Sequence, residues 1–296
     1  MIDILVQNQN SDGGWGAVPG KQSQTEATAY TLLALTQVKD QALSERVTRG
    51  LQWLTGQQRP DGSWPLMANL TESSWTSAVA VFALACFDTH RPQALRGAAW
   101  LLRQKGRTLG LIDSLKYRLV PHLMATELNP DLQAWPWTPN SFSWVEPTAY
   151  ALLALKKLRP FLTEMQPDKR IRQGELLLYD RMCNGGGWNY GNVRTLGEEL
   201  LPYPDTTAVA LIALQDHQTE VANQQSLQTL RQMLERVQSG LALSWALLCF
   251  SLYGQDRAEW ESQLQQRFEK TRFLDETKVV ALALLALNDG ATVFRV

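Results

Sequence analysis

An eight-residue phrase occurs twice in this chain, and the second copy begins 120 positions after the first. Residues 28–35 read TAYTLLAL and residues 148–155 read TAYALLAL, so the two copies differ only at the fourth place. Repetition at this distance indicates stacked supersecondary units, because one unit cannot bury its apolar face alone. The repeat therefore predicts a fold built from copies of one motif.

Four looser copies complete a set of six, at residues 77–84, 207–214, 243–250 and 280–287. All six are rich in Ala and Leu and apolar nearly all round, which is typical of a helix that is buried on every side. An amphipathic segment precedes each of them, at residues 2–9, 44–57, 92–104, 167–183, 224–238 and 256–271. Six helical hairpins close compactly as a ring, so the sequence predicts an all-α, α6/α6 toroid in one domain over residues 1–296.

Composition and charge restrict the compartment and the partners. The formal net charge is −1, so there is no basic excess to hold a nucleic-acid backbone. The three cysteines stand at unrelated spacings, which favours neither a disulfide framework nor a zinc knuckle. The first residues do not resemble a signal peptide, and no apolar run reaches the roughly 18 residues that span a bilayer. We expect a cytoplasmic protein with no nucleic-acid partner, and contact with a membrane surface stays open.

Glycine-rich turns followed by a tryptophan recur between outer and inner helices, at Trp15, Trp64 and Trp188. Glycine supplies the positive φ that ends a helix and reverses the chain, and a tryptophan can pack its large face across such a turn. No Lys-Ser/Thr pattern of a phosphate-binding loop follows these glycines. We therefore interpret them as structural turns.

These turns, together with the Arg-Gly-x-x-Trp-Leu motifs at residues 49–54 and 96–101, resemble the QW repeats of squalene-hopene and oxidosqualene cyclases. Protein prenyltransferase β-subunits share that toroid. Residues 186–193 and 203–208 resemble the cyclase segment that ends in Asp-x-Asp-Asp-Thr-Ala or Asp-Cys-Thr-Ala. The resemblance implies a class II terpene cyclase that protonates an isoprenoid without a metal or cofactor, with Asp205 as the general acid.

Asp205 lacks the acidic neighbours of the Asp-x-Asp-Asp form, where like charges help to keep a proton on the cluster. Tyr203 and Thr206 stand in their places, and we expect both to line the substrate site. Asp205 also begins a predicted inner helix, whose dipole favours the ionised carboxylate. A catalytic acid and a plain helix cap both remain open at this position.

Two further acids, Glu26 and Glu146, precede the Thr-Ala step by the same two residues as Asp205. If the ring closes, all three meet at one end of it. Acids also suit the first turn of a helix, where the dipole stabilises them by roughly 0.3–1 kcal/mol, and for Glu26 we favour that interpretation. Glu146 is the candidate for a second acid, because it ends the aromatic segment 135–144.

That segment closes a long insertion, roughly residues 105–144. Connections of this length are usually lids or binding loops. Residues 109–124 could form a short helix broken at Pro121, and the aromatic segment could cap a central cavity.

Aromatic faces stabilise carbocations by about 0.5–2 kcal/mol each. On this ground Trp75, Trp144, Tyr150 and Trp245 are candidate substrate contacts. Large aromatic side chains at helical spacing are also ordinary core residues, and for Tyr30 and Tyr150 packing is the favoured interpretation.

Other functions are open or disfavoured. The chain has three histidines, and Cys86, Asp88 and His90 stand at a helix end where alternate side chains diverge, so no metal site is expected. Glycan-processing barrels use paired carboxylates in polar grooves, whereas these inner helices would line an apolar cavity. Two alternatives to a cyclase remain: a non-catalytic toroid that binds a lipid or a protein segment, and a prenyltransferase β-subunit. A partner chain and a homodimer also remain open.

Overall fold

The computed structural model describes residues 1–38, 40–110, 119, 129, 131–195 and 197–296. The six apolar segments form inner helices, which are α2 Thr25–Thr36, α4 Thr76–Ala85, α6 Val145–Leu158, α8 Pro204–Ala213, α10 Gly240–Leu252 and α12 Thr277–Leu287. The amphipathic segments form outer helices, which are α1 Ile2–Gln7, α3 Ser44–Gly56, α5 Arg91–Arg103, α7 Asp168–Asp180, α9 Val221–Leu234 and α11 Ala258–Thr271. A small antiparallel hairpin, β1 Arg194–Thr195 with β2 Glu198–Glu199, was not expected from the sequence.

The inner helices form a closed ring. Each contacts the next along the chain, from α2 through α4, α6, α8 and α10 to α12, and α12 contacts α2. Each outer helix packs on the inner helix before it, and α1 packs on α12, so the first helix completes the last hairpin. The predicted helical ring is confirmed over the described residues.

Burial differs between the two layers in the way the sequence pattern predicts. Leu32, Leu33 and Ala34 of α2 are successive residues, and all three are fully buried, as expected for a helix enclosed on all sides. Outer helix α5 instead buries Ala94, Ala98 and Leu101, which are spaced three and four residues apart on one face.

Four tryptophans fix the turns that lead into inner helices. Each indole Nε1 donates to a leucine carbonyl at the end of the preceding outer helix: Trp15 to Leu5 (2.6 Å), Trp64 to Leu54 (2.7 Å), Trp135 to Leu101 (2.9 Å) and Trp188 to Leu178 (2.6 Å). Each tryptophan backbone N–H donates to a hydroxyl in the first turns of the inner helix: Thr28, Ser77, Thr148 or Thr207. The structural interpretation of Trp15, Trp64 and Trp188 is therefore confirmed.

Trp135 belongs to the same set, although the sequence analysis placed it in a capping loop. It is 3% exposed and occupies the turn position of the third repeat. The assignment of Trp135 to a cap is wrong. The long insertion lies before this turn, and it hid the fact that Trp135 occupies the same repeat position as Trp15, Trp64 and Trp188. The expected helix at 109–124 falls almost wholly outside the described residues.

Hydrogen bonds between repeats join the ring at the amino ends of the inner helices. The Thr25 hydroxyl donates to the Pro65 carbonyl of the next repeat (2.6 Å), and the Thr277 hydroxyl donates to the Gly16 carbonyl (2.7 Å). The second bond spans 261 residues and connects the last repeat to the first. These bonds hold the amino ends of the inner helices together at one end of the ring.

Candidate functional site

Four of the charged side chains that the structure describes at that end of the ring, which we call the mouth, belong to the first turns of inner helices. They are Glu26 of α2, Glu146 of α6, Asp205 of α8 and Lys278 of α12, and they form the mouth cluster. The Lys278 Nζ lies 2.7 Å from Glu26 Oε1, and the two side chains are 18% and 16% exposed. The charges of Glu26, Asp205 and Lys278 all interact electrostatically with the carboxyl group of Glu146. The structure thus brings together the three acids that the sequence analysis aligned.

Lys278 is the member that sequence reasoning missed. The repeat phrase begins at residue 280 in the sixth copy, so Lys278 precedes it by two residues, as Glu26 and Glu146 precede theirs. The register of the repeat was the signal that could have found it. The looseness of the sixth copy hid this correspondence.

Glu146 has altered acid–base chemistry. Burial raises its pKa to about 7, Lys278 opposes that rise, and the charges of Asp205 and Glu26 add to it. A carboxyl with this pKa retains a proton in about half of the molecules at neutral pH. It can therefore act as a general acid.

Two tyrosines lie beneath the mouth cluster. Tyr30 and Tyr150 are 2% and 3% exposed, and their side chains are hydrogen-bonded to each other. Burial raises the pKa of both phenols, and the negative charges of Glu26 and Glu146 add to the effect. Both hydroxyls therefore stay protonated and available as donors. The core interpretation of the two tyrosines agrees with their burial, although they also adjoin the acids.

Aromatic rings border the mouth on the α4 and α6 side. Trp75 is half-buried at the start of α4, and its ring centroid lies 5.7 Å from that of Tyr150 and 5.0 Å from that of Trp137. Trp144, also half-buried, directly precedes α6 and lines a cavity of about 350 Å³ with Phe142. Trp75, Trp144 and Tyr150 thus flank the first turns of α4 and α6, and their role as substrate contacts stays a prediction.

The remaining candidate contacts differ in their access to solvent. Tyr203 is 42% exposed and contacts the ring of Tyr190 at 5.1 Å. Thr206 is fully buried, and its hydroxyl has no hydrogen-bond partner among the described residues. Trp245 is 1% exposed and lies in the interior of the ring against Tyr30, at 5.8 Å. Thr206 and Trp245 therefore do not reach solvent at the mouth, because both are enclosed by neighbouring helices.

A second polar cluster lies near the carboxyl ends of α6 and α8. Of the residues that the structure describes, Glu175, Asp216 and His217 form a group whose ligand atoms lie within 4.8 Å of one another. The Lys156 ammonium lies 2.6 Å from Glu175 and 2.5 Å from Asp216, and it also donates to the Ala213 carbonyl. These carboxylates already neutralise a cation. A cavity of about 630 Å³ adjoins the cluster.

Across the described ranges, no helix combines the length and the apolar character that crossing a bilayer requires.

Comparison with known proteins identifies relatives of the fold. No family model matches the chain. A segment of 60 residues, 20% of this chain, is 42% identical to drimenyl diphosphate synthase of Streptantibioticus cattleyicolor, and it spans 11% of that protein.

Three solved structures superpose on nearly the whole chain. The type II terpene cyclase MstE from Scytonema, in complex with geranylgeranyl dihydroxybenzoate, matches with a TM-score of 0.59 and 16% identity, covering 99% of this chain and 95% of that one. A protein from Actinoplanes matches at 0.62 with 14% identity, covering 98% and 97%. The α-1,6-mannanase GH76A of a Salegentibacter species matches at 0.62 with 9% identity, covering 97% of each chain. The chain therefore has the α/α toroid fold, which type II terpene cyclases share with a GH76 mannanase.

Proposed function

We propose that this protein is a class II, protonation-type terpene cyclase that acts on an isoprenoid at the mouth of the toroid. Residues 1–296 would form one toroid domain that includes the inserted loop at about 105–144. The observation that supports this most is a half-buried carboxyl, Glu146, whose pKa is raised to about 7 beside the aromatic wall of Trp75 and Tyr150.

The chemistry follows from this arrangement. The protonated Glu146 donates its proton to a substrate alkene, whose π electrons form the new C–H bond and leave a carbocation. A second alkene of the same chain attacks that cation and closes a ring. A carbon-bound proton then passes to water, which ends the reaction, and protonation of the Glu146 carboxylate from solvent restores the acid. The product is an isomer of the substrate, so no co-reactant is consumed.

Aromatic faces near the acid suit the cationic intermediate. The faces of Trp75, Tyr150 and Trp144 would each stabilise a nearby cation by about 0.5–2 kcal/mol. Tyr203 would form part of the exposed entrance.

Asp205 has a role beside Glu146 in this proposal. The resemblance to cyclases marks Asp205 as the acid, and its charge helps to raise the pKa of Glu146. The two acids would thus share the function that a row of aspartates performs in the Asp-x-Asp-Asp form. Lys278 forms an ion pair with Glu26, which leaves Glu146 and Asp205 as the two acids that would take part in protonation.

The fold alone does not distinguish this chemistry from glycan hydrolysis, since a mannanase shares it. The residues at the mouth favour the isoprenoid. Aromatic rings border the acids there, and Ala-rich and Leu-rich helices form the wall behind them. A polar groove for a sugar chain would need hydrogen-bonding side chains along that wall.

The test is a mass-spectrometric product screen with farnesyl diphosphate, geranylgeranyl diphosphate, squalene and oxidosqualene. Glu146→Gln and Asp205→Asn should each reduce product formation at least about 100-fold, as expected for the loss of a general acid. The matched control is Glu45→Gln, which removes an exposed first-turn acid of α3 and should leave turnover unchanged. Full activity in Glu146→Gln would overturn its role as the acid. A retained lipid without turnover in every variant would instead identify a binding module.

A further inference from the structure

Behind the mouth, a column of aromatic side chains crosses the interior of the ring. Ring centroids lie 5.8 Å apart for Tyr30 and Trp245, 5.5 Å for Trp245 and Phe294, and 5.3 Å for Phe294 and Phe82. Phe82 belongs to α4 and Trp245 to α10, which are opposite each other in the order of the ring. Phe294 therefore bridges two facing walls.

Phe294 comes from outside the repeats. It lies in a short 3₁₀ helix, Gly290–Phe294, that follows α12, and it is 1% exposed. The neighbouring Ala291 and Val293 are also buried, at 2% and 8%. The segment thus inserts into the ring rather than lying along its surface.

Two inner helices hold this segment at the end of the ring opposite the mouth. The Lys157 Nζ, in the last turn of α6, donates to the carbonyls of Val293 (2.9 Å) and Arg295 (2.7 Å). The Gln215 Nε2, just beyond α8, donates to the Phe294 carbonyl (2.8 Å). These bonds attach the backbone on both sides of Phe294, so its ring is fixed in position.

We propose that Trp245 and Phe294 form the floor of the isoprenoid site and set the longest prenyl chain that it accepts. The inference rests on the proposed function, since it assigns the depth of that same site. Trp245 is the specificity-determining residue because it lies directly beneath Tyr30, and Phe294 is the positioning residue that supports Trp245 from below. A chain that reaches this column would have to displace closely packed rings, and overpacking a filled interior is unfavourable.

The first experiment asks whether Phe294 fills the interior. Phe294→Ala should leave an enclosed apolar cavity, and such cavities stay dry and bind benzene. We expect benzene to raise the Tm of Phe294→Ala and to leave that of the wild type unchanged. Phe268→Ala is the matched control, because Phe268 is half-buried on outer helix α11 and contacts Phe273 instead of the column. Phe294→Leu is the second variant if Phe294→Ala does not fold.

The second experiment measures chain-length preference without turnover, as equilibrium binding of farnesol and geranylgeraniol. Trp245→Ala and Phe294→Leu should each shift the ratio of the two Kd values at least tenfold toward the longer alcohol, and Phe268→Ala should not shift it. An unchanged ratio in folded variants would overturn the inference, even if Glu146→Gln abolishes catalysis. A shifted ratio with no catalysis in the wild type would support the floor and contradict the proposed reaction. If the wild type binds neither alcohol, both the floor and the isoprenoid site are overturned.

Discussion

The Lys278 ammonium lies 2.7 Å from the Glu26 carboxylate and joins the last inner helix of the ring to the first. Burial alone would lower the pKa of Lys278, but the charges of Glu26 and Glu146 hold it above its usual value. Lys278 therefore keeps its positive charge beside Glu26, and this contact closes the ring. Lys278 also affects a second acid, because its positive charge opposes the rise in the pKa of Glu146.

Removing the cation by Lys278→Met should destabilise the fold and raise the pKa of Glu146 further. Breaking a buried ion pair leaves an uncompensated charge, and at this partial exposure we expect a loss of about 1–3 kcal/mol in the free energy of unfolding. Urea denaturation at pH 7 measures it. The double variant Glu26→Gln/Lys278→Met removes both charges and should recover part of the loss. Equal stability of the single variant and the wild type would show that the pair contributes nothing.

Stability should fall as pH rises from about 4.5 to about 7 through the contribution of Glu146. Its pKa is about 7 in the folded protein against an ordinary value of 4.5, so in this window the folded state binds more protons than the unfolded state. The contribution levels off above pH 7. Denaturation midpoints across pH 4–9 for the wild type and Glu146→Gln should differ by this slope, and identical pH profiles would contradict it.

Turnover should depend on pH in the same direction. If protonated Glu146 is the acid, the rate falls as pH rises through about 7, because the deprotonated form cannot donate. A pH–rate profile with a descending limb near pH 7 is the expected result. A rate that is constant between pH 6 and 8.5 would exclude Glu146 as the essential acid.

Gly97→Ala should destabilise the protein even though alanine is the better helix former by about 1 kcal/mol. A Cβ at Gly97 would lie 2.3 Å from a methyl group of Val81 and 2.7 Å from the ring of Trp64. We expect a net loss of about 1–3 kcal/mol, as is usual for overpacking. Gly56→Ala is the matched control, because nothing lies within 4 Å of its Cβ position. Denaturation curves should show no loss for Gly56→Ala, and a Gly97→Ala variant as stable as that control would contradict the packing argument.

Trp188→Phe should cost about 0.5–1.5 kcal/mol of stability, because it removes the indole donor to the buried Leu178 carbonyl, which keeps the Arg181 backbone N–H as a donor. Chemical denaturation measures the loss. Trp144→Phe, at a half-buried position, serves as the comparison and should cost less. A larger loss for Trp144→Phe would reverse the structural ranking of the two tryptophans.

The internal repeat explains why the sequence alone was sufficient to predict the helices and their order in the ring. The phrase at residues 28–35 and its copies specify buried helices through local composition, and the glycine-tryptophan turns specify how each is entered. Trp135 shows the limit of this reasoning, because an insertion before its turn concealed a fourth copy of the same hydrogen bond. The common repeat position of Glu26, Glu146 and Asp205 was also readable from the sequence.

Tertiary structure alone decided the chemistry of the acids. Closure of the ring places Lys278 against Glu26, although 252 residues separate them (278 − 26), and burial then selects Glu146 as the acid with a pKa of about 7. Phe294 likewise enters the interior from a segment outside the repeats. A repeat pattern determines helices and their order because those depend on neighbours in the chain. Charge pairing, desolvation and interior packing depend on which surfaces meet when the ring closes.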